Sequence, residues 1–173
     1  ITVLLYSGTS ATGTPVQTLT APRSIIGAFS SVANPALANG SYTARAEQVD
    51  TAGNLGQSAP TTFTVDTVAP VPTLTQPGAG ATLTTATPAL SGVAGTASGD
   101  STTVTVRIFA GTAATGAALH TLTATRQPGG VYSVTAPSLP NGTYTARASQ
   151  SDAAGGTGNS TANTFTVAVV AGG

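Results

Sequence analysis

The sequence contains no cysteine, methionine, tryptophan or lysine, and a single histidine. Without cysteine there is neither a disulfide framework nor a thiolate metal site. Five arginines balance five acids over 173 residues, for a net charge of zero. A nucleic-acid binder needs a basic stripe that displaces counterions from phosphates, and dispersed arginines do not supply one. Charged residues make up 6% of the chain, against about a quarter in an ordinary globular protein. Disordered tails stay open through charge and lack of apolar surface. Here 40% of residues are hydrophobic, which sets that class aside. No run approaches the roughly 20 apolar residues of a membrane span. The longest apolar stretch, Val167 to Ala171, reads as the end of a strand. The chain opens on Ile1 with neither the basic segment nor the cleavage pattern of a secretory signal, so it is expected to be a mature or internal piece.

What the sequence does contain is a copy of itself. Residues 1–20, ITVLLYSGTSATGTPVQTLT, match residues 104–123, VTVRIFAGTAATGAALHTLT, at an offset of 103. NGSYTARAEQVDTAG from Asn39 matches NGTYTARASQSDAAG from Asn141, and TTFTV from Thr61 matches NTFTV from Asn163, both at an offset of 102. A period near 100 is too long for a solenoid and suits a small β-domain. In both copies apolar and polar residues alternate. Val104, Val106 and Ile108 interleave with Thr105, Arg107 and Phe109, and Tyr144, Ala146 and Ala148 with Thr145, Arg147 and Ser149. That period of two predicts strands with one buried and one wet face. Strands are expected in the second copy near 72–76, 88–94, 103–110, 118–125, 131–136, 143–150 and 162–169. Seven short strands at this spacing predict a sandwich.

One motif recurs in both copies. Leu37-x-x-Gly40-x-Tyr42 returns as Leu139-x-x-Gly142-x-Tyr144. It resembles the tyrosine corner of immunoglobulin-like and fibronectin type III sandwiches, in which a tyrosine near the start of a strand turns its hydroxyl onto upstream backbone. The Asn-Gly before each Tyr supplies the turn. An ordinary hairpin with a core tyrosine is the alternative. Buried tyrosine hydroxyls seek a partner, and the recurrence favours the corner.

Asp50-Thr-Ala-Gly-Asn54, followed by Phe63-Thr-Val-Asp66-Thr-Val-Ala-Pro70, is similar to the tandem bacterial immunoglobulin-like (Ig-like) repeats of surface adhesins and biofilm proteins. The resemblance covers essentially the whole chain. It implies an all-β fold of tandem immunoglobulin-like β-sandwiches, with a partial domain over 1–69 and a complete one over 70–173. The second copy departs from the pattern: Asn54 is matched by Gly156 and Asp66 by Ala168. The first copy is incomplete at its N-terminus, because Ile1 aligns with Val104 and nothing corresponds to 70–103, which would form strands A and B. Three readings of that gap are open: further repeats upstream, strands donated by a neighbouring subunit, or a disordered half domain.

The resemblance also implies a metal, because some Ig-like adhesins bind calcium through acids in the last turn and the interdomain linker. Asp50, Asn54 and Asp66 match those positions. Calcium takes six to eight oxygens, commonly from several carboxylates, and this set is short. The competing reading has Asp50 and Asn54 satisfying turn backbone and Asp66 ending a strand. Catalysis finds little support. His120 is matched by Gln17, no serine sits in a nucleophile elbow, and Gly78-Ala-Gly80 and Gly155-Gly-Thr-Gly158 lack the strand-to-helix setting of a phosphate loop. Asn39, Asn141 and Asn159 open glycosylation sequons, of which the first two read as turns. The expected role is therefore a structural stalk or spacer in a surface or secreted protein, related to adhesion or biofilm, whose partners are neighbouring Ig-like repeats. The rivals are an extracellular filament, a homopolymer joined by strand donation, and an accessory module of a secreted carbohydrate-active enzyme. Fold alone does not separate them.

Overall fold

The computed structural model describes residues 1–170, so the end of the 70–173 domain and of the Val167–Ala171 run lies outside the described residues. The chain divides into two compact units, Ile1–Thr67 and a second beginning at Val68. No helix occurs among the described residues, and none is long and apolar enough to cross a membrane.

The first unit holds β1 (Thr2–Ser7), β2 (Gln17–Thr20), β3 (Gly40–Val49), β4 (Leu55–Gln57) and β5 (Thr61–Val65). They make one antiparallel sheet in the order β2-β1-β3-β4, with β5 also paired to β3. Residues 21–39 form no strand. The second unit holds β6 (Thr82–Leu83), β7 (Ala89–Val93), β8 (Asp100–Ala110), β9 (His120–Thr125), β10 (Val131–Thr135), β11 (Gly142–Asp152), β12 (Thr157–Asn159) and β13 (Asn163–Val167). Its larger sheet runs β6-β13-β11-β8-β9 with β12 on β11, and β7 pairs with β10 in a second sheet.

The two large sheets are built alike. In the first unit Leu4 faces Arg45, Leu5 faces Ala44 and Tyr6 faces Thr43. In the second Arg107 faces Arg147, Ile108 faces Ala146 and Phe109 faces Thr145. The registers coincide once the offsets of 103 and 102 are applied, because the alternation that buries one face admits no slip by a single residue. The second unit closes a core between its two sheets. Leu74 and Leu90 pack with Val104, Val106, Ile108 and Phe165 in one buried cluster.

The expected strand at 72–76 is not a regular strand. Thr73 and Thr75 donate to Val93 and Ser91, and Gln76 makes an isolated bridge with Ser91. Pro70, Pro72 and Pro77 lack the amide hydrogens a ladder needs. The short β6 and β12 were not anticipated. Thr43 and Thr145 correct the simple wet-face reading, since each is 1% exposed on the outer side of its sheet. The turn after β1 or β8 folds over them. Thr43 Oγ1 donates to the Gly8 carbonyl and Thr145 Oγ1 to that of Gly111.

Candidate functional site

The two tyrosines sit near the start of β3 and β11, where the chain turns into a long strand of each unit. The Tyr42 hydroxyl donates to the Ala38 carbonyl at 2.9 Å, and the Tyr144 hydroxyl to the Pro140 carbonyl at 2.8 Å. Each ring lies against a phenylalanine of the neighbouring strand, Tyr42 on Phe63 at 5.9 Å and Tyr144 on Phe165 at 6.0 Å between centroids. Gly40 has a φ of 154°, a conformation side-chain-bearing residues avoid, whereas Gly142 is not in that region.

The residues matched to a calcium site do not converge. Asp50 follows β3 and Asp66 follows β5, whose Val65 pairs with Gly40 at the opposite end of β3. Ten residues of extended strand separate the two ends, roughly 30 Å. Asp50 is engaged by its own turn. One carboxylate oxygen accepts the amides of Ala52 and Asn54, and the other accepts the Asn54 side-chain amide at 2.8 Å. The Asn54 side chain first, and its backbone amide second, hold the Asp50 carboxyl below its usual range. Asp66 accepts the Asn39 side-chain amide at 3.3 Å. No group of three or more acids or imidazoles gathers among the described residues. The donor set does not fit calcium. Asp152 repeats the Asp50 turn without an asparagine partner, accepting the amides of Ala154 and Gly156. The turn therefore satisfies its own backbone amides in both copies.

The feature that distinguishes the units is the inner face of the large sheet. In the second unit Phe165 is 1% exposed, Tyr144 7%, and Val104, Val106 and Ile108 fully buried. In the first unit the equivalent Phe63 is 36% exposed, and Val3, Ala44, Ala46 and Val65 are only partly covered. Phe29 and Val32, on the strandless segment, are exposed. A cleft of about 300 Å³ opens here, lined by residues that include Ile1, Phe29, Ala46, Glu47, Gly56 and Ser58. Sequence reasoning placed the apolar residues on this face and expected a cover. It did not find Gly56 and Gln48, whose counterparts are the half-buried Gly158 and the buried Gln150.

A β-sandwich with a tyrosine corner, and a preceding sheet of the same register, define a tandem immunoglobulin-like module. The sequence profile of the bacterial Ig-like domain family matches residues 5–67 and 79–168, and the chain belongs to that family. No curated protein matches it significantly. Among solved structures it is similar to an engineered protein, with 26% identity and a TM-score of 0.44 over 58% of this chain. The chain spans 20% of that protein's length. It is also similar to the fibronectin(III)-like modules of Clostridium thermocellum CbhA, with 18% identity and a TM-score of 0.48, covering 97% of this chain and 77% of that one.

Proposed function

We propose that the chain is a non-catalytic spacer, a run of Ig-like modules that holds another part of an extracellular or surface-exposed bacterial protein at a distance, in an adhesive or biofilm setting. The observation that carries this reading is the pairing of the first and last strands of the second unit. β6 and β13 run parallel, with Thr82 beside Thr166 and Leu83 beside Val167. Around this pair Gly80 donates to Thr164, Thr166 to Ala81 and Ala168 to Leu83. When the ends of the unit are pulled apart, parallel terminal strands slide past each other and their hydrogen bonds are loaded together. An antiparallel terminal pair would open one bond at a time. Such shear geometry suits a module that transmits tension.

Stretching the full chain by its ends tests this. The second unit should yield in one abrupt event that releases on the order of 300 Å of chain, from about 3.5 Å per residue. Gradual extension without a resisting event would remove the spacer reading.

A further inference from the structure

We propose that the outer face of the large sheet in the second unit carries an anion-binding site, formed by Arg107 and Arg147 and fitted to the carboxylate of an acidic sugar residue. The inference concerns this face alone and stands whether or not the chain is a spacer.

Arg107 on β8 and Arg147 on β11 lie directly opposite each other in the ladder. Like charges in that position destabilise a sheet, because their β-carbons are only about 5 Å apart. Neither guanidinium is paired with a carboxylate among the described residues. Arg107 Nη1 donates to the Ser149 hydroxyl at 3.3 Å, a neutral partner. The only acids from residue 68 onward are Asp100 and Asp152. Both sit at the far end of β8 and β11, facing each other across the ladder, and each already accepts backbone amides of a nearby turn. Along the strands they stand roughly 15 Å or more from the arginines. That exceeds the screening length of about 8 Å at physiological salt. Nothing within the unit therefore offsets the pair.

The first unit shows the same position satisfied from within. Arg45 is the counterpart of Arg147. It pairs with Glu47 at 3.2 Å, donates to the Tyr6 hydroxyl at 3.3 Å and lies over the Tyr6 ring at 5.8 Å. Leu4 faces Arg45 where Arg107 faces Arg147. In the second copy all three neighbours differ: Ser149 stands for Glu47, Phe109 for Tyr6 and Arg107 for Leu4. The internal anion and the internal hydroxyl are gone, and a second cation is added. The sheet does not need that cation, since the same register accepts leucine in its place. The exchange leaves two unneutralised guanidiniums side by side, Arg107 exposed and Arg147 half-buried.

They open onto a cleft of about 680 Å³, lined by residues that include Arg107, Arg147, Thr115, Gly116 and Thr121. Its wall is the loop between β8 and β9, fixed at both ends. Gly111 donates to the Thr143 carbonyl and accepts the Thr145 hydroxyl, and Leu119 donates to the Ile108 carbonyl. The cleft is thus preformed. Guanidiniums present forked donors that match the two oxygens of a carboxylate, and threonine hydroxyls both donate to and accept from ligand hydroxyls. An extended peptide binds a sheet by main-chain pairing at a free edge. Here β8 is paired on both sides, by β9 and β11, and β11 by β8 on one side and by β12 and β13 on the other, so the face offers no backbone ladder. Two cations are too few for the closely spaced phosphates of a nucleic acid. A hydroxylated ligand with isolated carboxylates fits, which is the chemistry of a uronic acid residue in a polysaccharide.

Titration of the full chain with a short oligogalacturonate, followed through the arginine side-chain resonances, tests the proposal. Saturable shifts of Arg107 and Arg147 are expected, with Arg45 unmoved. The neutral methyl ester of the same oligosaccharide should bind about tenfold more weakly or worse, the worth of a charge-assisted hydrogen bond. Arg107→Leu copies Leu4 and Ser149→Glu copies Glu47, and each should weaken binding by a similar factor. Both should also raise the melting temperature by relieving the like-charge contact, which separates lost binding from lost folding. The proposal is overturned if the methyl ester binds as well as the acid, or if binding is indifferent to both substitutions. Free acetate that matches the oligosaccharide would overturn it as well, leaving a bare ion contact. A glutamate-rich peptide that binds the same arginines more tightly would overturn it in favour of an acidic protein partner.

Discussion

At the scale of single residues, the paired tyrosines give a direct comparison between a wet and a dry setting. Tyr144→Phe removes a bond to the Pro140 carbonyl in a nearly closed pocket, so destabilisation of about 1–2 kcal/mol is expected in a denaturant titration. Tyr42→Phe removes the same bond where water can replace it, and its cost should be about half that or less. Tyr132 adds a pH dependence. Burial pushes its hydroxyl up to about 12, so the folded chain keeps a proton that the unfolded chain loses near pH 10. Tyr132 should add no pH dependence below about pH 10, and stability should fall as pH rises from there through 12, an alkaline loss that Tyr132→Phe abolishes. Asp50 works in the opposite sense. Its depressed carboxyl supports the turn above the ordinary carboxylate range, and that support goes as pH falls through the lowered value. Because the oxygens of Asp50 already serve that turn, chelator or added calcium should leave the melting curve of the chain where it was. The tyrosines were legible from the Leu-x-x-Gly-x-Tyr spacing. Thr43 and Thr145 were not, because a period of two assigns them to water and only the fold of a distant turn buries them.

At the scale of elements, strands with clean alternation were readable, β8 and β11 above all. The misreading at 72–76 came from a segment whose apolar alternation is sound but whose prolines leave it outside any regular ladder. β6 was missed because two residues carry no periodicity. Their importance lies in running parallel to β13, a relation of opposite ends of the domain that no local window contains. Ala168→Pro removes the amide that bonds Leu83, and should lower the force at which the second unit yields more than it lowers thermal stability. Gly158→Val forces the Pro70 backbone off β12, and should cost the second unit about 3 kcal/mol or prevent its folding, on the scale of overpacked cores. Single-molecule stretching beside thermal unfolding measures the first, and a denaturant titration measures the second.

At the scale of the whole molecule, two sheets of the same register differ in what lies upon them. Phe165→Ala should cost about 3–5 kcal/mol, the usual penalty for emptying a core aromatic site. Phe63→Ala should cost well under half of that, since its ring already meets solvent. Hydrogen exchange should rank the units in the same order, with amides of β3 opening before those of β11. The repeat itself was legible from matched blocks alone. What the bare sheet would look like was not, because a pattern of inward residues records which side faces a core and not whether the core is there.

The coincidence of registers has a further consequence for how the chain comes to its native state. β1 pairs with β3 through the same positions by which β8 pairs with β11, so β1 is also a credible mate for β11, and β8 for β3. During refolding from denaturant, mispaired strands of this kind form a kinetic trap that must dissolve before correct pairing proceeds. Refolding of the full chain should show a slow phase whose amplitude shrinks when β1 is given outward residues unlike those of β8. Sequence divergence between neighbouring repeats would then serve the speed and fidelity of folding, independently of anything the finished modules do.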